Sequence, residues 1–253
     1  MSQADSAPVD LSELIARAQR LLNKFSGTLS PIAADRELSQ YLEKMKGENE
    51  PAKKIVSAQE TAVELGSPKR LSVNIVLWSK NPGLIRDRHF CLLGPDLPES
   101  AGAERDYAQI ILLAIDETAE IDPFRLESLQ FLAQALPGVM ARVIPGRLWL
   151  RVSKTAVSAG ITFALLARAI RDAYQKEVSG LSAVESIFVT SSKEVEPFSA
   201  LASEAKILSG RHKKISLGLG GDYECEELSC GTCEEKPVCD MIREVRAIRR
   251  KSG

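Results

Sequence analysis

A chain of 253 residues with 44% apolar content is long enough for one large α/β domain or two smaller domains with proper cores. Its 33 basic and 34 acidic residues nearly cancel, so no global charge draws it to nucleic acid or to an anionic membrane, and neither is expected as a partner. The opening MSQADSAPVDLSELIARAQ lacks a basic start followed by an apolar core, and no apolar run is long enough to span a bilayer, so cytoplasmic residence is the expectation.

From Asp10 to about Leu65 the pattern is helical. Leu11, Leu14, Ile15, Ala18, Leu21 and Leu22 fall on one stripe, with Asp10 or Ser12 as N-cap. ADRELSQYLEKMK and PAKKIVSAQETAVEL both look amphipathic and are split by the breaker cluster GENEP, so residues 1–66 are expected to form a helical N-terminal region. At Arg70 the period changes. RLSVNIVLW and DRHFCLLGPDL read as short strands, and YAQIILLAID as a strand buried on both faces. DPFRLESLQFLAQAL has helical spacing through Phe124, Leu126, Leu129, Phe131 and Leu132 and is ended by Pro-Gly. GRLWLRVS is a further strand, AGITFALLARAIRDAYQKE a strong helix, VESIFVT a strand and EVEPFSALASEAKILSGR a last helical piece. This alternation predicts an α/β domain over residues 67–210, with a mixed or mainly parallel sheet flanked by helices.

Residues 211–253 carry a different signal. Four of the five cysteines, Cys225, Cys230, Cys233 and Cys239, fall within fifteen residues, spaced C-x4-C-x2-C-x5-C. In a reducing compartment such a group reads as metal ligands or redox thiols rather than disulfides. Thiolates are soft donors, and four of them can hold tetrahedral zinc or a [4Fe–4S] cluster. Structural zinc sites usually use two C-x2-C pairs separated by a longer loop, whereas here one such pair is flanked by single cysteines, which favours the cluster and leaves zinc open. Gly218, Gly220, Gly221 and Gly231 allow tight backbone turns around the thiolates, and DMIREVRAIRRK after Cys239 predicts a short helix capped by Asp240. The acidic stretches ECEEL and CEEKP weigh toward zinc, or toward basic cover from Lys213, Lys214 and the terminal arginines. GLGGD lacks the full dinucleotide fingerprint and reads as a turn.

Other chemistry is sparse. Cys91 in HFCLLG reads as a buried small hydrophobe, and His89 and His212 sit in no protease or nucleophile motif. Arg142, Arg147, Arg151 and Lys154 cluster around Trp149. Cations beside an aromatic face suit a phosphorylated adenine nucleotide, but Arg147, Trp149 and Arg151 also alternate as the exposed face of an ordinary strand, with Leu148 and Leu150 inward.

Taken in order, LLGPDL followed by YAQIILLAID, then LWLRVSKTAVSAG, FVTSSKEV and finally SCGTC running on to PVC resemble the central α/β domain and cysteine loop of CO-methylating acetyl-CoA synthase. That family is the β subunit of the acetyl-CoA decarbonylase/synthase, or CO dehydrogenase/acetyl-CoA synthase, complex of anaerobic one-carbon metabolism. The likeness runs from about Arg70 to Cys239, and the helical first segment has no counterpart. It implies a [4Fe–4S] cluster bridged by a cysteine thiolate to a two-nickel site, where CO, a methyl group from a corrinoid protein and coenzyme A are joined. Cys230, Cys233 and Cys239 match cluster ligands, with Cys233 in the bridging position. Two departures matter: the interval from Cys233 to Cys239 is shorter than the family's, and the fourth cysteine available is the upstream Cys225 rather than a downstream one.

The family's outer nickel is held by a Cys-Gly-Cys motif in a further domain that this sequence lacks, and SCGTC does not replace it. Nickel is therefore expected only with cysteines from elsewhere. The resemblance also implies coenzyme A docking, for which Arg147, Trp149, Arg151 and Lys154 are the matching group. The expectation is an iron–sulfur protein in or beside the CO dehydrogenase/acetyl-CoA synthase system, as an electron-transfer, accessory or partial synthase subunit. Its partners would be the complex's subunits, a corrinoid protein or a ferredoxin. The alternative is a zinc-stabilised interaction module without catalysis.

Overall fold

Leu14, Ile15, Ala18 and Leu22 are buried along one side of a helix spanning Ser12–Lys24 (α1), as their spacing predicts. The cap position is Leu11, not Asp10 or Ser12, and Asp10 secures the start from just outside it. One carboxylate oxygen accepts from the Ser12 amide at 2.7 Å and the other from the Lys80 amide at 3.2 Å, which ties the helix to the sheet it covers. The computed structural model of the protein describes residues 10–46, 55–116, 119, 123–129, 136–144, 147–208, 215–217 and 223–225. Met1–Ser209 form one unit and Gly210–Gly253 another.

The segment read as helical up to Leu65 is only partly so. Thr28–Pro31 (β1) is a strand, Asp35–Lys44 (α2) a helix, and Thr61–Leu65 (β2) a strand. In TAVEL the buried Val63 and Leu65 alternate with Ala62 and Glu64, a period of two that the longer helical pattern conceals. Pairing with distant strands decides the outcome, because so short a run has no strong local preference.

Seven strands follow among the described residues of the first unit: Ser72–Ser79 (β3), His89–Leu93 (β4), Glu104–Arg105 (β5), Tyr107–Ile115 (β6), Val139–Ile144 (β7), Arg147–Ser153 (β8) and, after the next helices, Leu181–Val189 (β9). Those helices are Pro123–Ser128 (α3), Lys154–Ala159 (α4) and Phe163–Glu177 (α5), and Ser192–Leu208 (α6) comes after β9. The remainder of the helix predicted after Ser128 lies largely outside the described residues. Strand β7 was hidden behind the Pro-Gly that ends this helical pattern.

The fold is α/β with two mixed sheets, not one. The larger runs β1-β4-β9-β6-β3 and the smaller β5-β2-β8-β7. In the larger sheet β3 and β6 are parallel, as are β4 and β9, while β6 and β9 meet antiparallel. All nine residues of β6 are buried, as its unbroken apolar run requires. The two faces are covered differently. α1 touches the face carrying Ser79, whose hydroxyl lies 2.6 Å from that of Ser12, and α6 packs beside it, linked by Arg17 to Glu204. On the other face Phe163 of α5 stacks on Phe188 of β9, with ring centroids 4.5 Å apart. The two sheets are joined where Ser72 Oγ donates to the Leu148 carbonyl at 2.7 Å and accepts from the Leu148 amide at 2.9 Å.

A charged clamp closes the turn before β4. Asp87 receives two parallel hydrogen bonds from the buried Arg171 of α5, and the fully buried Glu185 of β9 pairs with Arg86 at 2.8 Å. Among the described residues no helix is long and apolar enough to cross a membrane.

Candidate functional site

Within the second unit, Ile215–Leu217 (β10) and Tyr223–Cys225 (β11) pair antiparallel, with Ile215 opposite Cys225 and Leu217 opposite Tyr223. Cys225 thus ends a strand of a two-stranded ribbon. The sequence carries a signal for this hairpin, since KISL and DYEC flank the glycine-rich GLGG. Cys230, Cys233, Cys239 and the short helix predicted after them lie outside the described residues, as do Gly218, Gly220, Gly221 and Gly231.

The fifth cysteine is where the sequence placed it. Cys91 on β4 is 3% exposed, and a Cβ added to Gly27 would stand 2.8 Å from its sulfur, so this thiol is packed as a small core side chain. Burial pushes its pKa up to about 11, with Arg86 pulling it down and Glu185 adding to the rise. A thiol held protonated at neutral pH is a poor nucleophile and a poor metal ligand.

The second candidate is the outer face of the smaller sheet. Leu148, Leu150 and Val152 point into the core, while Arg147, Trp149 and Arg151 lie on the half-exposed side. The structure brings these three together and gives each a partner within the protein. Glu64 Oε1 accepts from Trp149 Nε1 at 2.8 Å and from Arg151 Nε at 3.0 Å. The Arg151 guanidinium lies 4.3 Å from the Trp149 ring centre, and that of Arg142, directly opposite on β7, lies 5.5 Å away. Arg147 Nη2 donates to the carbonyls of Ser67 at 3.1 Å and Arg70 at 2.7 Å.

Lys154 is different. It is exposed at the start of α4, its backbone amide donates to the Glu60 carbonyl at 2.8 Å, and its ammonium has no partner among the described residues. Glu64, which organises the face, was not foreseen. It becomes visible once Thr61–Leu65 is read as a strand, because Glu64 then stands opposite Arg151 as a cross-strand ion pair.

His89 is structural. Its Nδ1 lies 2.8 Å from the Asp87 carbonyl in the turn before β4, and His212 lies outside the described residues. Among the described residues no group of three or more His, Cys, Asp or Glu side chains could hold a metal ion. No protein-family model matches the chain, and no curated protein is similar enough to it to count as a relative.

Proposed function

We propose that Cys225, Cys230, Cys233 and Cys239 bind one [4Fe–4S] cluster. In this reading the protein is a cytoplasmic iron–sulfur protein related to the acetyl-CoA synthase β subunit, acting in or beside the CO dehydrogenase/acetyl-CoA synthase system. A subunit of that complex, a corrinoid protein or a ferredoxin would be its partner. The observation that carries this reading is the partition of the cysteines: four are concentrated in fifteen residues, and the fifth is an inert core thiol. The donor set fits the group, since four soft thiolates on one short loop match the ligand number of such a cluster. When bound, a cluster with all positions taken by cysteine supplies electron transfer or fixes the loop. Nickel has no further thiolate to take from this sequence, because Cys91 is buried and protonated, so it would need cysteines from elsewhere.

A second reading, a zinc-stabilised interaction module, is favoured by the acidic flanks. Glu224, Glu226, Glu227, Glu234 and Glu235 would oppose the extra negative charge of a reduced cluster, whereas zinc undergoes no reduction. Anaerobic purification separates the two. The expected product is brown and contains about four iron and four sulfide per chain, and a colourless protein with about one zinc would replace the first reading by the second. Cys233→Ser should lose its metal in either case, and full retention would show that the ligand set is wrong.

Coenzyme A at the Trp149 face belongs to the same proposal. Arg147 and the Nε of Arg151 are engaged, so Lys154 and Arg142 are the cations open to its phosphates, and the stack of guanidinium on indole supplies the flat surface. Titration should change tryptophan emission saturably, and Trp149→Phe should abolish the change. An unchanged signal together with a flat calorimetric trace would remove coenzyme A from the proposal.

A further inference from the structure

Within the first unit, α1 and α6 leave a groove of about 380 Å³ between them, lined by Arg17, Arg20, Leu21 and Lys24 on one side and Pro197 and Leu201 on the other. Its floor is apolar and its rim is basic. Arg17 is neutralised by Glu204 at 2.5 Å, but Arg20 and Lys24 are exposed and have no acidic partner among the described residues. They stand four residues apart, one helical turn, on either side of Leu21. Pro197 sits inside α6 and has no amide hydrogen, so the Lys193 carbonyl one turn earlier is left without its helical donor on the same helix.

We propose that this groove docks an acidic amphipathic helix of a partner protein. The charge pattern selects that occupant. Two cations one turn apart, neither with an acidic partner among the described residues, match carboxylates at i and i+4 of a facing helix, and the leucine and proline floor takes the apolar side chains between them. A nucleic acid would find two cations and an apolar floor where it needs a longer basic track, and a bilayer would need a wider apolar face. Because the whole chain carries almost no net charge, attraction at this groove is local and sensitive to salt.

The test uses the full chain and a fluorescein-labelled helical peptide with glutamates at i and i+4 and leucines on the same side. Fluorescence anisotropy should show saturable binding that weakens about tenfold in the doubly reversed Arg20→Glu/Lys24→Glu protein and weakens again as salt rises. Both side chains are exposed, so the variant should keep the wild-type melting temperature. A peptide with lysine in place of each glutamate should ignore the wild type and bind the variant, a rescue that mere misfolding cannot produce. Absent binding of the glutamate peptide, or binding untouched by the charge reversal, overturns the proposal. So does stronger binding of a single-stranded oligonucleotide or of anionic vesicles that shows the same dependence on Arg20 and Lys24.

Discussion

Asp87→Ala is expected to destabilise the folded protein by about 3–5 kcal/mol, read as a lower urea midpoint at unchanged slope. Arg171 is 8% exposed, and its guanidinium fork meets Asp87 through Nε to Oδ1 at 3.1 Å and Nη2 to Oδ2 at 3.0 Å. Gln175 accepts from Nη1 at 2.7 Å, and the partly exposed Asp172 carboxylate stands 3.9 Å from the same nitrogen. The same carboxylate also accepts the Val184 amide at 3.2 Å, so its removal strands a buried cation and a strand amide together. A loss below about 1 kcal/mol would mean that water replaces the carboxylate and that the pair behaves as a surface ion pair.

The same pair sets a pH dependence. Burial opposes ionisation of Asp87, but the hydrogen bonds from Arg171 and Val184 and the charge of Arg171 outweigh it, and the carboxyl titrates below its usual range. A depressed folded pKa contributes stability above the unfolded value, near 4, and that contribution fades as pH falls through the folded value. The stability difference between wild type and Asp87→Ala should therefore be full at neutral pH and shrink below about pH 4. A difference independent of pH would assign the effect to packing alone.

Gly66→Ala should cost about 2–4 kcal/mol, measured by thermal melting. Its φ of +63° is left-handed, and a Cβ there would collide with the Leu148 carbonyl and stand 2.8 Å from Ser72 Oγ. Those two atoms hydrogen-bond to each other where the sheets join, so the new methyl group pushes on the junction itself. Gly102→Ala is the control. Its φ is +78° but nothing lies within 4 Å of an added Cβ, so only backbone strain of about 1–2 kcal/mol is expected. Equal losses at the two glycines would show that the contact at the junction yields without cost.

Much of the fold was legible where local pattern and final environment agree. The apolar run of β6 announced a strand buried on both faces, and the stripes of α1 and α5 announced helices packed on one side. The division into two sheets was not legible. It depends on pairings such as Glu64 with Arg151, 87 positions apart, and nothing near Thr61–Leu65 tells the chain to pair there. The same blindness hid Glu64 from the reading of the Arg/Trp face, although the alternation of Leu148 and Leu150 with Arg147, Trp149 and Arg151 was plain. At the cysteines the reverse holds. Cysteine spacing is a property of sequence, and the structure adds to it the strand that ends in Cys225 and the burial of Cys91.

The strand order of the larger sheet also has a consequence for how the chain is made. β9, at the centre, is the last of the five strands to leave the ribosome, after both β1–β4 and β3–β6 are already complete. Until Leu181–Val189 emerges, each half is a strand pair with an unpaired apolar edge, and the two halves share no hydrogen bonds. Insertion of β9 joins them in one step, parallel to β4 on one side and antiparallel to β6 on the other. The nascent protein thus carries its greatest exposure to aggregation, and its greatest need for a chaperone, in the interval before this one strand is finished.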